Sequence, residues 1–307
     1  MFKKLLLALL AVPTLALAQR PVETNHVWVP YGGGGTLEQT CRATFNLYDK
    51  YYRTETIINV KPGGNTVIAI NDMLAAPKTQ NRVMCSTSSM AIYNELIYKD
   101  VDFKTKQMEV ILMTFDQSLT WFVPNTNKAV LSFKDQVAYW KSLNRPINVG
   151  FNFATAETLA KHLATIPGLK INPVPFKAAP QMYPALKDGS LDLAITAHNG
   201  NELAEQGAFR MIGYSADFIW TGAPKGIKNF AAEDPALGKI TAWLSITVPT
   251  GTSEQYKQQL VDRIKFIYGL PEFKQNAPSG FNIRLLSGRA LQDEIKKEYK
   301  IVQGLWK

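Results

Sequence analysis

The sequence predicts an α/β protein in which short strands alternate with helices and pair into largely parallel sheet. Three observations carry this reading. Short β-branched or aromatic runs alternate with stretches of helical period, and the turns between them are rich in glycine or hydroxyl residues. The same strand, small-residue turn and helix start also recurs in two distant parts of the chain.

Taken in order, Lys3 and Lys4 precede an apolar run over 5–17 that closes in Ala16-Leu17-Ala18. This is the pattern of a secretory signal peptide over 1–18, with the mature chain starting at Gln19 and an exported, periplasmic product. The run is short for a membrane span, and no later apolar stretch reaches that length. Lys3 and Lys4 are two of the 34 basic residues, so 32 remain against 25 acidic ones. That excess is dispersed rather than gathered into a basic stripe with aromatics, which argues against a nucleic-acid partner. A content of 46% hydrophobic and 19% charged residues excludes a disordered chain.

Residues 27–29 read as a buried strand that empties into Tyr31, then Gly32, Gly33, Gly34 and Gly35, and Thr36 with Gln39 has the spacing of a capping box. A glycine turn at a helix start offers unpaired backbone N–H groups, partial positive charge and close approach to the main chain, so it can hold an anion. A plain β-to-α turn that binds nothing is the alternative. Residues 56–60 and 82–86 read as strands and 65–76 as a helix between them, and by handedness such units build parallel sheet. The second strand leads into Thr87, Ser88 and Ser89, whose hydroxyls suit either ligand contact or helix capping. Ligands of open α/β sheets gather outside the carboxyl ends of strands, which places these turns on one rim of a pocket.

Cys41 and Cys85 are the only cysteines, and an oxidising compartment permits them to pair; a disulfide and two buried thiols both stay open at this stage. His26, His162 and His198 stand apart from one another and from cysteine, so no metal site and no cofactor is expected.

Strands are expected over 108–114 and 119–123, and the polar turn Pro124-Asn125-Thr126-Asn127 marks a domain crossing. A second α/β set follows: helix 133–141, strand 147–151, then Asn152-Phe153-Ala154-Thr155 opening a helix from Ala156. Its helix start offers a second anion-binding end to face the first. Farther on, 240–248 reads as a strand, Thr252 and Gln255 repeat the capping-box spacing, and 255–268 and 290–305 are amphipathic helices that cover the sheet.

The stretch from Val174-Pro175-Phe176-Lys177 through Ala179-Pro180, Pro184-Ala185-Leu186 and Gly189-Ser190-Leu191-Asp192 to Thr196 resembles the substrate-binding proteins of tripartite tricarboxylate transporters, the Bug family. The glycine loop, Pro62-Gly63-Gly64-Asn65, the tryptophan-containing segment at Trp243 and Leu270-Pro271-Glu272-Phe273 agree with that family in order. The resemblance covers nearly the whole mature chain. It implies a type II periplasmic-binding-protein fold with two α/β lobes, the first built from 19–122 and 222–307 and the second from 123–221, and a ligand cleft between them. The implied ligand is a small di- or tricarboxylate or aromatic carboxylate, handed by a monomeric receptor to a membrane permease. Mapped onto this chain, the implied contacts are Tyr31 to Thr36, Thr87, Ser88, Ser89, Asn152, Thr155, Ala156, Phe176 and Thr196, with one carboxylate gripped by the second-lobe turn. Five residues separate Thr36 from Arg42 where the family usually has four beginning with aspartate, and Ala178 stands where glycine is common.

The competing class is a secreted α/β hydrolase with a non-standard active site. The chain lacks G-x-S-x-G, H-E-x-x-H and G-x-x-x-x-G-K-[ST] motifs, and three scattered histidines supply little acid–base chemistry. Binding by hinge closure is the expected mechanism, and Gly34→Val is expected to harm binding more than stability.

Overall fold

The computed structural model describes residues 22–127, 132–197, 201–276 and 281–305; the leader, its cleavage point and His198 lie outside them. Strands β1 (Thr24–Val29), β2 (Glu55–Val60), β3 (Asn81–Thr87) and β4 (Met108–Gln117) belong to one sheet, and β5 (Leu119–Val123), β6 (Ile147–Phe151), β7 (Ile171–Pro175), β8 (Leu193–Ala197) and β9 (Arg210–Ser215) form another. The chain then returns through β10 (Ala242–Pro249) and ends with β11 (Phe281–Ser287) in the first sheet. The sheet orders are β11-β4-β10-β3-β1-β2 and β7-β6-β8-β5-β9.

Helical crossovers make β1 parallel to β2 and β3, and β6 parallel to β7 and β8, as the alternation predicts. Among the described residues, four of the five antiparallel pairings have a common cause, the fifth being β11 against β4. β5 and β10 are the strands through which the chain enters a sheet from the other one, and each lies antiparallel between two neighbours. Only Ser118 separates β4 from β5. The first crossing therefore falls at Ser118, ahead of the turn at 124–127, and Leu119–Val123 pairs within the second sheet rather than extending the first. The polar triplet Asp116-Gln117-Ser118 separates the two strands, but such a break looks the same whether the next strand stays in the sheet or leaves it. β9 and β11 carry weak alternation over Arg210–Ser215 and Phe281–Ser287 and become strands through their partners.

The helix Thr36–Tyr52 follows β1 and packs Phe45 and Tyr48 into a core with Val27, Val29, Leu112, Leu244 and Leu260. A disulfide ties this helix to β3, joining Cys41 to Cys85 with Cα atoms 6.1 Å apart. A second core runs from Trp121, Trp140 and Leu159 through Tyr93, Met113 and Trp243 to Leu291 and Val302. It crosses between the sheets, so apolar packing as well as chain connectivity joins them. Each fully buried side chain of this size contributes roughly 1.5–3 kcal/mol.

Two helix starts differ from expectation. Gly35, not Thr36, is the N-cap of Thr36–Tyr52, so Thr36 is its first helical residue and Gln39 completes no capping box. At the later helix Glu254–Gly269 the cap is Ser253, whose Oγ accepts the Tyr256 N–H at 3.3 Å. The expected helix over 65–76 begins as a tight turn at Gly64–Thr66 and runs as Val67–Ala75, because Asn65 and Thr66 are left-handed at φ 48° and 85°.

Candidate functional site

A cleft lies where the two sheets present their strand ends to each other. From the first sheet come Tyr31, Gly32, Gly35, Thr36, Leu37 and Glu38 after β1, Thr87 and Ser88 at the end of β3, Gln117 at the end of β4, and Ala242, Trp243 and Leu244 at the start of β10. From the second come Asn152 and Phe153 after β6, Ala178 and Ala179 after β7, and Thr196 and Ala197 at the end of β8. Because β10 is antiparallel, its first residues share the rim formed by the last residues of its neighbours.

The glycine loop meets the opposite rim directly. A Cβ on Gly32 would stand 3.0 Å from the Ala178 Cβ, so a side chain there would push the rims apart. Tyr31 Oη is 3.2 Å from Thr87 Oγ1, and burial pushes its phenol above its ordinary range. Thr36 is buried, and its hydroxyl has no hydrogen-bond partner. A buried polar atom left in this way costs roughly 1–3 kcal/mol, which a ligand can recover. The capping-box reading would have engaged that hydroxyl with the helix; the observed cap leaves it buried and unpartnered.

Across the cleft, Thr196 Oγ1 donates to Asn152 Oδ1 at 3.1 Å, which sets the turn after β6. Asn152 and Phe153 lead into the helix Ala154–Ala164, whose first-turn N–H groups lack intrahelical acceptors. On the floor, Trp243 Nε1 donates to Glu298 Oε2 at 2.5 Å. Glu298 also accepts from Tyr93 Oη at 3.0 Å and from the Thr241 hydroxyl. Burial nevertheless lifts its pKa to about 7, against the pull of those three donors.

Of the residues picked out in the sequence, Tyr31, Gly32, Gly35, Thr36, Thr87, Ser88, Asn152 and Thr196 line the cleft, and Gly33, Gly34, Ser89, Thr155, Ala156 and Phe176 do not. Gly33 and Gly34 face solvent, and Gly34 is left-handed at φ 77° with open space around its Cα. Its glycine is needed for the turn, so Gly34→Val should harm folding before binding. Ser89 and Thr155 are buried against each other: Ser89 Oγ accepts the Thr155 N–H at 3.2 Å. Ala156 belongs to the core between the sheets, and Phe176 packs beside Met182 and lines a separate groove with Tyr98, Phe153 and Glu157.

Sequence reasoning missed Leu37, Glu38, Gln117, Ala178, Ala179, Ala197, Ala242, Trp243 and Leu244. Glu38 had a usable signal, since it sits in the first turn after the glycine run. Among the described residues no group of histidine, cysteine and carboxylate side chains could hold a metal ion, and no helix is long and apolar enough to cross a membrane.

No protein-family model matches the sequence, and no curated protein matches it. Solved structures do. A Rhodopseudomonas palustris protein with adipate superposes at a TM-score of 0.83 and 18% identity, over 93% of this chain and 98% of that one. The periplasmic binding protein BugD gives 0.79 at 15% identity over 94% and 97%, and MatC from Rhodopseudomonas palustris with bound malate gives 0.78 at 15% over 94% and 100%. This is a type II periplasmic-binding-protein fold. Its two sheets face each other across a cleft, walled here by the glycine loop, β10 and the strand ends and turns of β6, β7 and β8.

Proposed function

We propose that the chain is a periplasmic solute receptor of the Bug family, capturing a small organic carboxylate for a membrane permease of the tripartite tricarboxylate class. The observation that carries this is the cleft between the two rims, walled by Gly32, Gly35 and Thr36 on one side and by Asn152 on the other. The export leader and the order of sequence motifs support the same reading, as do neighbours solved with adipate and malate.

In this reading β1 to β4 with β10 and β11 form one lobe, and β5 to β9 form the other, hinged at Ser118 and at the return before β10. The ligand carboxylate docks on N–H groups at the turn of Asn152 and Phe153. Its other end meets Thr36 and the glycine loop. Closing the lobes removes water, which strengthens each of these hydrogen bonds.

Calorimetric titration of the purified protein with short-chain, dicarboxylic and aromatic acids tests this. Saturable 1:1 binding without turnover is the expected result; silence across the panel would overturn it. Hydrolysis, by contrast, finds no histidine beside the cleft hydroxyls among the described residues.

A further inference from the structure

The cleft has an unusual balance of charge for a receptor of anions. Among its described lining residues there is no lysine, arginine or histidine, and one carboxylate is present, that of Glu38. Its side chain is 9% exposed. One oxygen, Oε1, is paired with Arg42 one turn along the helix, whose own side chain is 51% exposed. The other, Oε2, accepts only a long contact from the Gly34 N–H at 3.4 Å. A carboxylate offers about four lone-pair sites and no donor, so Glu38 keeps accepting capacity toward the cleft.

The other polar groups do not read charge. Tyr31, Thr36, Thr87 and Ser88 are hydroxyls that donate or accept as needed, and Gln117 does both. Glu38 alone is obligatorily an acceptor. It also occupies the first turn of the Thr36–Tyr52 helix, where its charge offsets the partial positive charge that would otherwise draw a ligand anion there. A ligand carboxylate is thus better held on the far wall, at Asn152 and Phe153. Between the two ends the walls are apolar, formed by Leu37, Trp243 and Leu244.

We propose that the preferred ligand is an amino carboxylate: a small acid with an apolar body whose second end is a cationic nitrogen donor that meets Glu38. This rests on the receptor reading above and narrows it. A second carboxylate at that end would face Glu38, whose charge the half-exposed Arg42 offsets only in part, and no lining residue is cationic, so dicarboxylates of the same length are disfavoured.

The test uses matched pairs at pH 7.5: ω-amino acids and α,ω-dicarboxylates of equal length, from three to eight carbons, with 6-aminohexanoate against adipate as the central pair. Titration calorimetry on the wild-type protein should show the amino acid binding at least tenfold tighter at the best length. Glu38→Gln keeps an oxygen for the Gly34 N–H and removes the charge, and it should cut that preference at least tenfold. Arg42→Gln, at a half-exposed position, should keep or enlarge the preference and serves if the first variant folds poorly. Equal or tighter binding of the dicarboxylates, an undiminished preference in the Glu38→Gln protein, or binding by other acids but by neither series would each overturn the proposal. Failure of every carboxylate would instead remove the receptor reading beneath it.

Discussion

Ser89 Oγ stands 3.0 Å from Thr155 Oγ1 and accepts the Thr155 backbone N–H at 3.2 Å, joining the turn after β3 to the start of the helix that follows β6. Ser88 Oγ is a further 3.2 Å from the same Thr155 hydroxyl. The first lobe thus supplies the anchor for a helix N-terminus belonging to the second. An N–H group that the sequence suggested for a ligand is engaged by protein instead.

Removing one side of that contact leaves buried groups unpaired. Ser89→Ala and Thr155→Val are each expected to lower stability by about 1–3 kcal/mol. Urea denaturation of both single variants and the double variant should give a coupling of at least 0.5 kcal/mol, typical of residues that share a hydrogen bond. Strict additivity would mean that the two side chains do not act on each other.

Two glycines of one loop should separate binding from folding. Gly32→Ala places a Cβ 3.0 Å from Ala178 on the opposite rim, so ligand affinity should fall while the melting point moves little. Gly34→Ala meets no neighbour but must hold φ near 77°, which costs about 1–2 kcal/mol for a residue with a side chain. Calorimetry and thermal melts on the same two samples check the contrast, and a reversed order would count against the assigned geometry.

The unpartnered Thr36 hydroxyl makes a third case. Thr36→Val keeps the shape and removes a buried group without a partner, so stability should hold or rise. Ligand affinity should drop roughly threefold to tenfold, the worth of one neutral hydrogen bond. Unchanged affinity would show that the ligand does not reach this hydroxyl.

Stability should depend on pH through Glu298. Its native pKa is raised to about 7 by burial, while the unfolded chain releases that proton near 4.5. Between those values the native state holds a proton that the unfolded state lacks, so stability is greatest on the acid side and falls as pH rises toward 7. The slope from one such group is at most about 1.4 kcal/mol per pH unit. Asp116, raised to about 6 chiefly by burial, acts in the same direction. Denaturation between pH 5 and 8 should show the decline in the wild type and a shallower one in Glu298→Gln; identical slopes would remove Glu298 as its source.

Reduction is the last. The Cys41–Cys85 bridge closes a loop over a sequence separation of 44, for which chain entropy gives about 4 kcal/mol. The Cys41→Ala, Cys85→Ala double variant is expected to lose about 2–5 kcal/mol in a urea titration and to become indifferent to reductant. A loss under 1 kcal/mol would show that packing of Phe45 and Tyr48 positions the helix without the bridge.

Local pattern was enough for the strands and helices whose residues bury themselves in an obvious rhythm, and for the glycine turn at Gly32 to Gly35. It was not enough at Ser118. There Asp116-Gln117-Ser118 breaks the run between β4 and β5, but only pairing with β8 and β9 shows that the chain has changed sheets. Trp243 shows the same limit within the site. A tryptophan in a strand is unremarkable until an antiparallel β10 puts its first turn beside the ends of β3 and β4.

By itself, then, the chain's sequence determined the alternation of strand and helix, the export leader as an expectation, and a backbone-rich turn suited to an anion, because each depends on neighbours within a few residues. Tertiary structure alone decided which groups remain available. Thr155 is engaged by Ser89, Thr36 is left without a partner, and Glu38 faces the cleft, since each outcome depends on strands far apart in sequence arriving at one rim. A hydrogen-bonding group acquires its role only when its partner is known, and for Thr155 that partner, Ser89, follows a strand of the other sheet.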